Sequence, residues 1–254
     1  MLNYLGICGA TRQVVASWSK ISAMNDLERY FYNNPGRTIH KWKHYFEIYE
    51  RHFARYRDKR VTVLEIGVYK GGSLQMWKHY FGPQARIVGI DINPECTAYA
   101  EDQVEVLIGD QEDRAFLRSL AELIPTIDVL IDDGGHTMSQ QITTFEELFP
   151  RIAPDGVYLC EDLHTSYWPE YGGGYLSPNS FIEYSKNFID QINAWHVPNP
   201  GKPHRKRWFR REPASIAVSD FTKSAHSLHC YDSILVIEKR PTEAPSPVMS
   251  GGDP

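Results

Sequence analysis

Five short, continuous apolar segments rich in β-branched residues lie along the middle of the chain. They are VTVLEIGV (61–68), ARIVGID (85–91), VEVLIGD (104–110), IDVLIDD (127–133) and GVYLCED (156–162). Runs of this length without polar alternation are typical of strands buried on both faces, as in a parallel sheet. Each segment therefore predicts one buried strand, and acidic residues stand at or near each carboxyl end.

Segments of helical periodicity separate these strands. The first runs from Gly71-Gly72-Ser73 to Gly82-Pro83, a second carries Phe116 to Leu123, and a third covers Gln140 to Phe149. Glycine and proline at such ends are common helix boundaries. The alternation predicts an α/β fold with one doubly wound, mostly parallel sheet of the Rossmann-like kind.

Aromatic residues recur at intervals of three and four between Ile39 and Arg57. This stripe predicts one helix with an aromatic face: Trp42, Tyr45, Phe46, Tyr49, Phe53 and Tyr56. Core packing is the simpler interpretation. The alternative is that residues 1–58 are a helical extension that forms a lid, with Trp42 or His44 near a ligand.

The chain changes character after residue 162. A loop rich in glycine and aromatic residues (163–178) is too long for a simple connection, and a helix is predicted from Ser180 to Trp195. SIAVSDF (215–221) and LHCYDSILVIEKR (228–240) predict a closing antiparallel pair. We expect one domain over residues 1–240 and, by composition, a disordered tail over 241–254.

Composition narrows the possible partners. The net charge of −5 argues against nucleic acid as a main partner, although a basic run lies at 205–211. The widely spaced cysteines fit neither a zinc knuckle nor a disulfide framework: Cys8, Cys96, Cys160 and Cys230. Without a signal peptide or an apolar run of 18 residues, we expect a cytoplasmic protein with reduced thiols and no membrane partner.

The turn after the first strand and the acid after the second predict a nucleoside site. Ligands bind open parallel sheets at the carboxyl ends of the strands, and glycine lets a ligand approach the backbone. The turn is not G-x-G-x-x-G, which weakens a dinucleotide interpretation. Asp91 follows Gly72 by 19 residues, the distance at which a carboxylate accepts ribose hydroxyls.

Other residues at this edge complete a candidate cofactor site. Glu65 is placed to orient the glycine backbone near a positively charged amino group, and Asp110 with Gln111 stands where an adenine amine would be bonded. The full expected set is Glu65, Gly67, Tyr69, Gly71, Gly72, Ser73, Asp91, Asn93, Asp110, Gln111 and Asp132. As helix or turn caps, Asp91 and Asp110 would have purely structural roles.

With these motifs the sequence resembles the class I S-adenosylmethionine-dependent methyltransferases. The resemblance covers residues 60–165, and within the superfamily it is most similar to the metal-dependent sugar O-methyltransferases of macrolide and related antibiotic pathways. LEIGVYKGGS (64–73), IDDGGH (131–136) and CEDLH (160–164) carry it. It implies a Mg²⁺-assisted enzyme that methylates a hydroxyl of a glycoside or nucleotide sugar, in a homo-oligomer. Members often carry an additional N-terminal domain that this chain does not show.

The acceptor side needs a base and a cation, because an alcohol is a poor nucleophile. Asp133, Glu161 and Asp162 are carboxylates at neighbouring strand ends, a donor set that suits Mg²⁺ better than Zn²⁺. The resemblance implies that these three bind magnesium and that His136 is the general base beside Asp133. His164 is a second candidate base, and Asp132 either contacts the cofactor or holds the loop.

Other interpretations stay open at this stage. A methyltransferase that uses a histidine alone, a non-catalytic cofactor-binding module and a nicotinamide oxidoreductase are the alternatives. Tyr167, Trp168, Tyr171 and Tyr175 would either stack on the apolar face of a sugar or polyketide ring, or pack against one another.

Overall fold

A computed structural model describes residues 24–197 and 216–251. Its centre is a seven-stranded sheet with the order β3-β2-β1-β4-β5-β7-β6. The strands are β1 Thr62–Ile66, β2 Arg86–Asp91, β3 Val104–Ile108, β4 Ile127–Asp132, β5 Ile152–Cys160, β6 Ala225–Tyr231 and β7 Ile234–Lys239. β1 to β5 are parallel, whereas β7 pairs antiparallel with both β5 and β6. The predicted doubly wound α/β sheet is confirmed.

Helices cover both faces of this sheet. They are α1 Asp26–Tyr32, α2 Tyr45–Phe53, α3 Gly72–Phe81, α4 Arg114–Leu123, α5 Met138–Leu148, α6 Phe181–Ile192 and α7 Asp220–Ser224. Two buried clusters of apolar side chains fill the space between helices and sheet, one on each face. Among the described residues, no helix has both the length and the apolar character needed to cross a membrane.

The aromatic helix is shorter than its sequence pattern suggests. α2 begins at Tyr45 and continues as a 3₁₀ turn to Tyr56, so that Trp42 precedes it and is 52% exposed. The side chains of Tyr45, Tyr49 and Phe53 are completely buried. Core packing is therefore confirmed for the helix itself, and Trp42 is not part of its buried face.

The prediction of a strand over 215–221 was wrong. Residues 216–219 have no regular structure, and Ser219 caps the short helix α7 by accepting a hydrogen bond from the Thr222 amide. The antiparallel pair lies farther along, because a turn with Ser233 at φ 63° divides the second segment into β6 and β7. A left-handed turn residue without a glycine signal is difficult to anticipate from sequence.

Several smaller expectations can also be compared with the structure. α6 ends at Ile192, three residues before the predicted end at Trp195, and the loop over 163–178 contains two 3₁₀ turns. Thr242 donates its amide to the Lys223 carbonyl, and residues 241–251 have no helix or strand. Residues 1–23, the whole basic run and the end of the tail lie outside the described residues.

Candidate active site

Two adjoining clefts lie at the carboxyl ends of the parallel strands. One, of about 440 Å³, extends over β1, β2 and β3, and the other, of about 370 Å³, lies over β1, β4 and β5. Both are lined by Gly67, Tyr69, Asp133 and Gly134. We call them the nucleoside cleft and the carboxylate cleft. Their volumes fall in the range of small-molecule sites. Because the clefts share these four lining residues, ligands bound in them would be in contact.

Asp91 organises the wall of the nucleoside cleft. Its Oδ2 accepts the amides of Val68 (2.9 Å) and Tyr69 (3.0 Å), and its Oδ1 accepts the amide of Asn93 (2.9 Å). The carboxylate thus ties the turn after β1 to the turn after β2. Asp91 and Asn93 both line the cleft, as the sequence predicts, and Asn93 also caps the following 3₁₀ helix.

A hydrogen bond between the buried side chains of Gln111 and Asp132 supports the far side of the nucleoside cleft. Asp110 and Gln111 line it, and Asp110 accepts the Glu112 amide at 2.8 Å. Gln111 donates its side-chain amide to Asp132, which is 1% exposed. Burial raises the pKa of Asp132 to about 8, with Gln111 opposing the shift. Asp132 therefore holds Gln111 and does not itself line either cleft.

The glycines of the first turn have different reasons to be glycine. Gly67 has φ 95°, and a Cβ there would overlap the Asp133 carbonyl, which belongs to the turn after β4. Gly71 has φ 72° and packs on the Tyr99 ring, and Gly72 packs on the Thr38 carbonyl. Gly67 lines both clefts, but Gly71 and Gly72 are not among the lining residues. Close approach of protein segments, not of a ligand, explains the last two.

Glu65 lies beneath the turn and not on the cleft surface. It is completely buried and accepts hydrogen bonds from Ser73 Oγ (2.7 Å) and Trp77 Nε1 (2.9 Å). Burial raises its pKa to about 7, although Lys41 opposes the shift. Glu65 thus joins the end of β1 to the first turn of α3, and Ser73 lines the carboxylate cleft beside it.

The carboxylate cleft gathers the predicted metal ligands. Asp133, Glu161 and Asp162 all line it, with ligand atoms of Asp133, His136 and Asp162 within 4.8 Å of one another. An all-carboxylate oxygen set of this kind fits Mg²⁺. Burial and the neighbouring Asp133 raise the pKa of Glu161 well above its usual range, because negative charge is concentrated here.

His136 is the histidine within this set. Its Nε2 is 3.5 Å from Asp162 Oδ2 and 3.8 Å from Asp133 Oδ1, while its buried Nδ1 has no hydrogen-bond partner among the described residues. Burial lowers the pKa of His136 and outweighs the two carboxylates, so the ring is neutral at pH 7. His164 instead bonds Ser233 Oγ through Nδ1 at 2.6 Å and does not line the cleft.

Sequence reasoning missed Lys41. Its side chain is only 2% exposed, and its Nζ donates to Asp133 and to both Glu161 oxygens, at 3.0 and 2.9 Å. Burial disfavours the ammonium, but Asp133, Glu161 and Glu65 outweigh it and hold the pKa of Lys41 well above its usual value. Lys41 is not part of a recognisable motif. It precedes its partners Asp133 and Glu161 by 92 and 120 residues.

Two tyrosines of the aromatic stripe also belong to the site. Tyr45 donates its hydroxyl to Asp162 and Tyr49 donates to Glu161, both at 2.7 Å. Their rings are core residues, and their hydroxyls reach the carboxylates. The stripe predicted the rings, but nothing in its spacing indicated the hydroxyl partners.

A group of aromatic rings, which we call the aromatic rim, lies around His164, two residues after Asp162 of the carboxylate cleft. The His164 ring contacts Trp168 and Trp42, with centroid distances of 4.7 and 5.8 Å. Trp168 is 42% exposed, Tyr167 49% and Tyr175 80%. Such rings are not needed to fill the core, and they give this rim a surface on which an apolar ligand face can stack.

The central part of the chain matches a known protein family. Residues 64–163, from β1 to just beyond β5, match the family model described as a methyltransferase domain. The matched region contains the turn after β1, Asp91, Asp110 and the three carboxylates Asp133, Glu161 and Asp162. Lys41, Tyr45 and Tyr49 precede it.

Curated relatives of this chain are named as O-methyltransferases. An 8-demethyl-8-alpha-L-rhamnosyl tetracenomycin-C 2'-O-methyltransferase of Streptomyces olivaceus is 38% identical, over 77% of this chain and 50% of its own length. A mycinamicin VI 2''-O-methyltransferase of Micromonospora griseorubida is 37% identical, over 75% of this chain and 47% of its own. This chain spans about half the length of these relatives.

A solved structure supports the same relationship. MycE methyltransferase from the mycinamycin biosynthetic pathway, in complex with Mg and SAH, aligns with a TM-score of 0.70 and 31% identity. The alignment covers 94% of this chain and 63% of that one. By its sheet order, its matched domain and these relatives, the chain belongs to the S-adenosylmethionine-dependent methyltransferases, alongside the antibiotic sugar O-methyltransferases.

Proposed function

We propose that this protein transfers the methyl group of S-adenosylmethionine to a hydroxyl of a sugar on a small molecule, assisted by Mg²⁺. The observation that carries the proposal is the convergence of Asp133, Glu161, Asp162 and His136 in one cleft that adjoins the nucleoside cleft. The names of the relatives support the reaction type, since each is a sugar O-methyltransferase.

The nucleoside cleft would hold the methyl donor. Asp91 offers its carboxylate to the ribose hydroxyls, and Asp110 and Gln111 lie across the cleft, where the adenine would be. Gly67 and Tyr69 line both clefts, so the methionine end of the donor would pass between them toward the carboxylates. Glu65, Gly71, Gly72, Ser73 and Asp132 would support this wall.

Proton transfer would be the work of His136. When bound, Mg²⁺ on Asp133, Glu161 and Asp162 would acidify the acceptor hydroxyl, and the donor would present an activated methyl group. The neutral imidazole then receives the hydroxyl proton at Nε2. Asp133 and Asp162, at 3.8 and 3.5 Å, stabilise the imidazolium that forms.

The aromatic rim would receive the acceptor. Sugars place apolar ring faces against aromatic side chains, and Trp42 and Trp168, which flank His164 near Asp162, are exposed. Relatives act on rhamnosyl tetracenomycin and on mycinamicin, which are glycosides. We therefore favour a glycosylated natural product as acceptor over a nucleotide sugar, within an antibiotic pathway.

Transfer of a labelled methyl group tests the proposal. The protein would be incubated with radiolabelled S-adenosylmethionine and a panel of rhamnosylated and deoxysugar-bearing macrolides and polyketides, with Mg²⁺ and after chelation. The proposal is supported if formation of labelled glycoside requires Mg²⁺ and is lost in Asp133→Ala. S-adenosylhomocysteine binding without transfer to any hydroxylated acceptor favours a non-catalytic module.

A second candidate is a methyltransferase that needs no metal. The observation in its favour is Lys41, which already places a cation between Asp133 and Glu161. Full activity in excess EDTA, retained in Asp133→Ala, would select this candidate and reject the first.

We further propose a cytoplasmic, homo-oligomeric enzyme with one domain over residues 1–240 and no nucleic-acid or membrane partner. The cysteines Cys96, Cys160 and Cys230 are unpaired within the described residues, which suits a reducing compartment. Light scattering after size-exclusion chromatography would measure the oligomeric state, and a monomer would reject that part of the proposal.

A further inference from the structure

The ammonium of Lys41 bridges two of the three carboxylates that we assign to magnesium. It contacts both Glu161 oxygens within 3.0 Å, bonds Asp133 Oδ2, and lies 3.7 Å from Glu65 Oε1. A fully buried lysine needs such partners, because an unpaired buried charge is very costly. Three of the six carboxylate oxygens that would bind the metal are thus already bound by a cation of the protein itself.

The two cations would compete for these oxygens. Magnesium needs oxygens at about 2.1 Å in near-ideal octahedral geometry, whereas the ammonium holds the same oxygens at hydrogen-bond distance. A dication bound to Glu161 would therefore lie within about 5 Å of Nζ if the lysine stayed. Repulsion between like charges that close, in a buried site, is strong.

We propose that Lys41 is a built-in competitor of the divalent cation, so that metal binding requires the lysine side chain to leave Asp133 and Glu161. This inference rests on the proposed magnesium site. The lysine neutralises the carboxylates while the metal is absent, and it lowers the affinity of the site for the metal. It is a positioning residue that controls metal loading.

The surrounding chain allows the Lys41 side chain to move away from the carboxylates. Lys41 lies in the segment between α1 and α2, which has no helix or strand, and its neighbours His40 and Trp42 are exposed. The segment is held at both ends, since Arg37 donates to the Tyr99 carbonyl at 2.9 Å and Tyr45 bonds Asp162. Because Lys41 also lines the carboxylate cleft, rotation of its long side chain into that space would separate it from the carboxylates without loss of either anchor.

Amine labelling of the wild-type protein tests the movement directly. Lys41 is 2% exposed in its side chain, so acetic anhydride should modify it slowly in metal-free protein. Added MgCl₂ should raise its labelling rate by about tenfold, because the displaced ammonium reaches solvent. The exposed neighbour Lys43 is the internal control, and its rate should not change. Unchanged protection of Lys41 at saturating Mg²⁺ overturns the inference.

Calorimetric titration with MgCl₂ tests the competition. Lys41→Met should bind Mg²⁺ at least about tenfold more tightly than wild type, whereas Lys43→Met and the charge-conserving Lys41→Arg should not gain affinity. Metal-free Lys41→Met should also melt at a lower temperature and recover with Mg²⁺. If it folds only with Mg²⁺ present, that requirement itself supports the inference, because the metal then replaces the missing ammonium.

The outcomes separate the two proposals. Mg²⁺ binding of equal or lower affinity in Lys41→Met overturns the competition and leaves the proposed function in place. Weaker binding of S-adenosylhomocysteine by Lys41→Met, with unchanged Mg²⁺ affinity, would assign the lysine to the donor instead. Absence of Mg²⁺ binding in both wild type and Lys41→Met rejects the magnesium site itself.

Discussion

His136 and Asp162 face each other across the ends of two neighbouring strands, with His136 Nε2 at 3.5 Å from Asp162 Oδ2. Both have a left-handed backbone, with φ of 58° and 54°. This conformation is unfavourable for residues with a Cβ and is concentrated at functional sites. The turns after β4 and β5 thus hold strain that aims two reactive side chains into one cleft.

The backbone strain at His136 is measurable. His136→Ala and His136→Gly both remove the imidazole, but only the alanine keeps a Cβ at φ 58°. We expect the glycine variant to be more stable than the alanine variant by about 1 kcal/mol. Urea unfolding of the two proteins, compared at one pH, gives the difference. A glycine variant that is the less stable of the two would show that the turn is relaxed.

The base assignment predicts a separation of turnover from donor binding. His136→Ala should lose at least about a hundredfold in kcat, since general bases contribute that much, while its affinity for S-adenosylhomocysteine stays near wild type. His164→Ala tests the second candidate base and should lose less, because His164 Nδ1 bonds Ser233 Oγ and lies 4.0 Å from Asp162 Oδ1. A normal kcat in His136→Ala, or an equal loss in His164→Ala, would move the base elsewhere.

Gly67 is required by packing as well as by conformation. In Gly67→Ala the new Cβ meets the Asp133 carbonyl at a φ of 95°, so we expect a loss of about 3 kcal/mol in the free energy of unfolding. Gly172→Ala, at φ 81° with no atom nearer than 3.8 Å, should lose only about 1 kcal/mol. Equal losses in urea unfolding would mean that conformation alone matters at both positions.

Asp91 should control donor affinity through the loop that it anchors. Asp91→Asn weakens the bonds to the Val68 and Tyr69 amides and removes the charge offered to the ribose. We expect calorimetry to show S-adenosylhomocysteine binding weaker by about tenfold or more. Glu112→Gln, at an exposed residue nearby, should bind normally. Unchanged binding in Asp91→Asn would reduce Asp91 to a structural role.

Because the His52 ring is buried, we expect the folded protein to lose stability in mild acid. Its ring is buried between Glu238 (2.8 Å) and the Tyr231 hydroxyl (2.9 Å), and burial lowers its pKa. Its contribution to stability is therefore complete above the unfolded pKa of about 6.5 and falls as the pH drops below that value.

Unfolding by urea between pH 7 and pH 5 measures this effect. The His52 contribution to the slope is at most about 1.4 kcal/mol per pH unit, and it should vanish in His52→Gln. His226→Gln, at an exposed residue of β6, should keep the wild-type slope. Equal slopes in wild type and His52→Gln would show that the ring titrates alike in the folded and unfolded chain.

Local pattern determined much of this protein. The five parallel strands follow from runs of β-branched residues, and the placement of Asp91, Asp110, Asp133 and Glu161 at one edge follows from strand direction alone. Parallel strands bring their carboxyl ends together whatever their order. The sequence therefore indicated a nucleoside cleft and a carboxylate cleft before any contact was known.

Tertiary structure decided which groups meet inside those clefts. Lys41 reaches Glu161 across 120 residues, and Tyr49 reaches the same carboxylate across 112. No periodicity marks such pairs, because they form only when α2 and the segment before it pack over the strand ends. Likewise Ser233, in the left-handed conformation, turned a predicted strand into a hairpin. Hydrophobic spacing is a local property, whereas the pairing of buried charges depends on the whole folded chain.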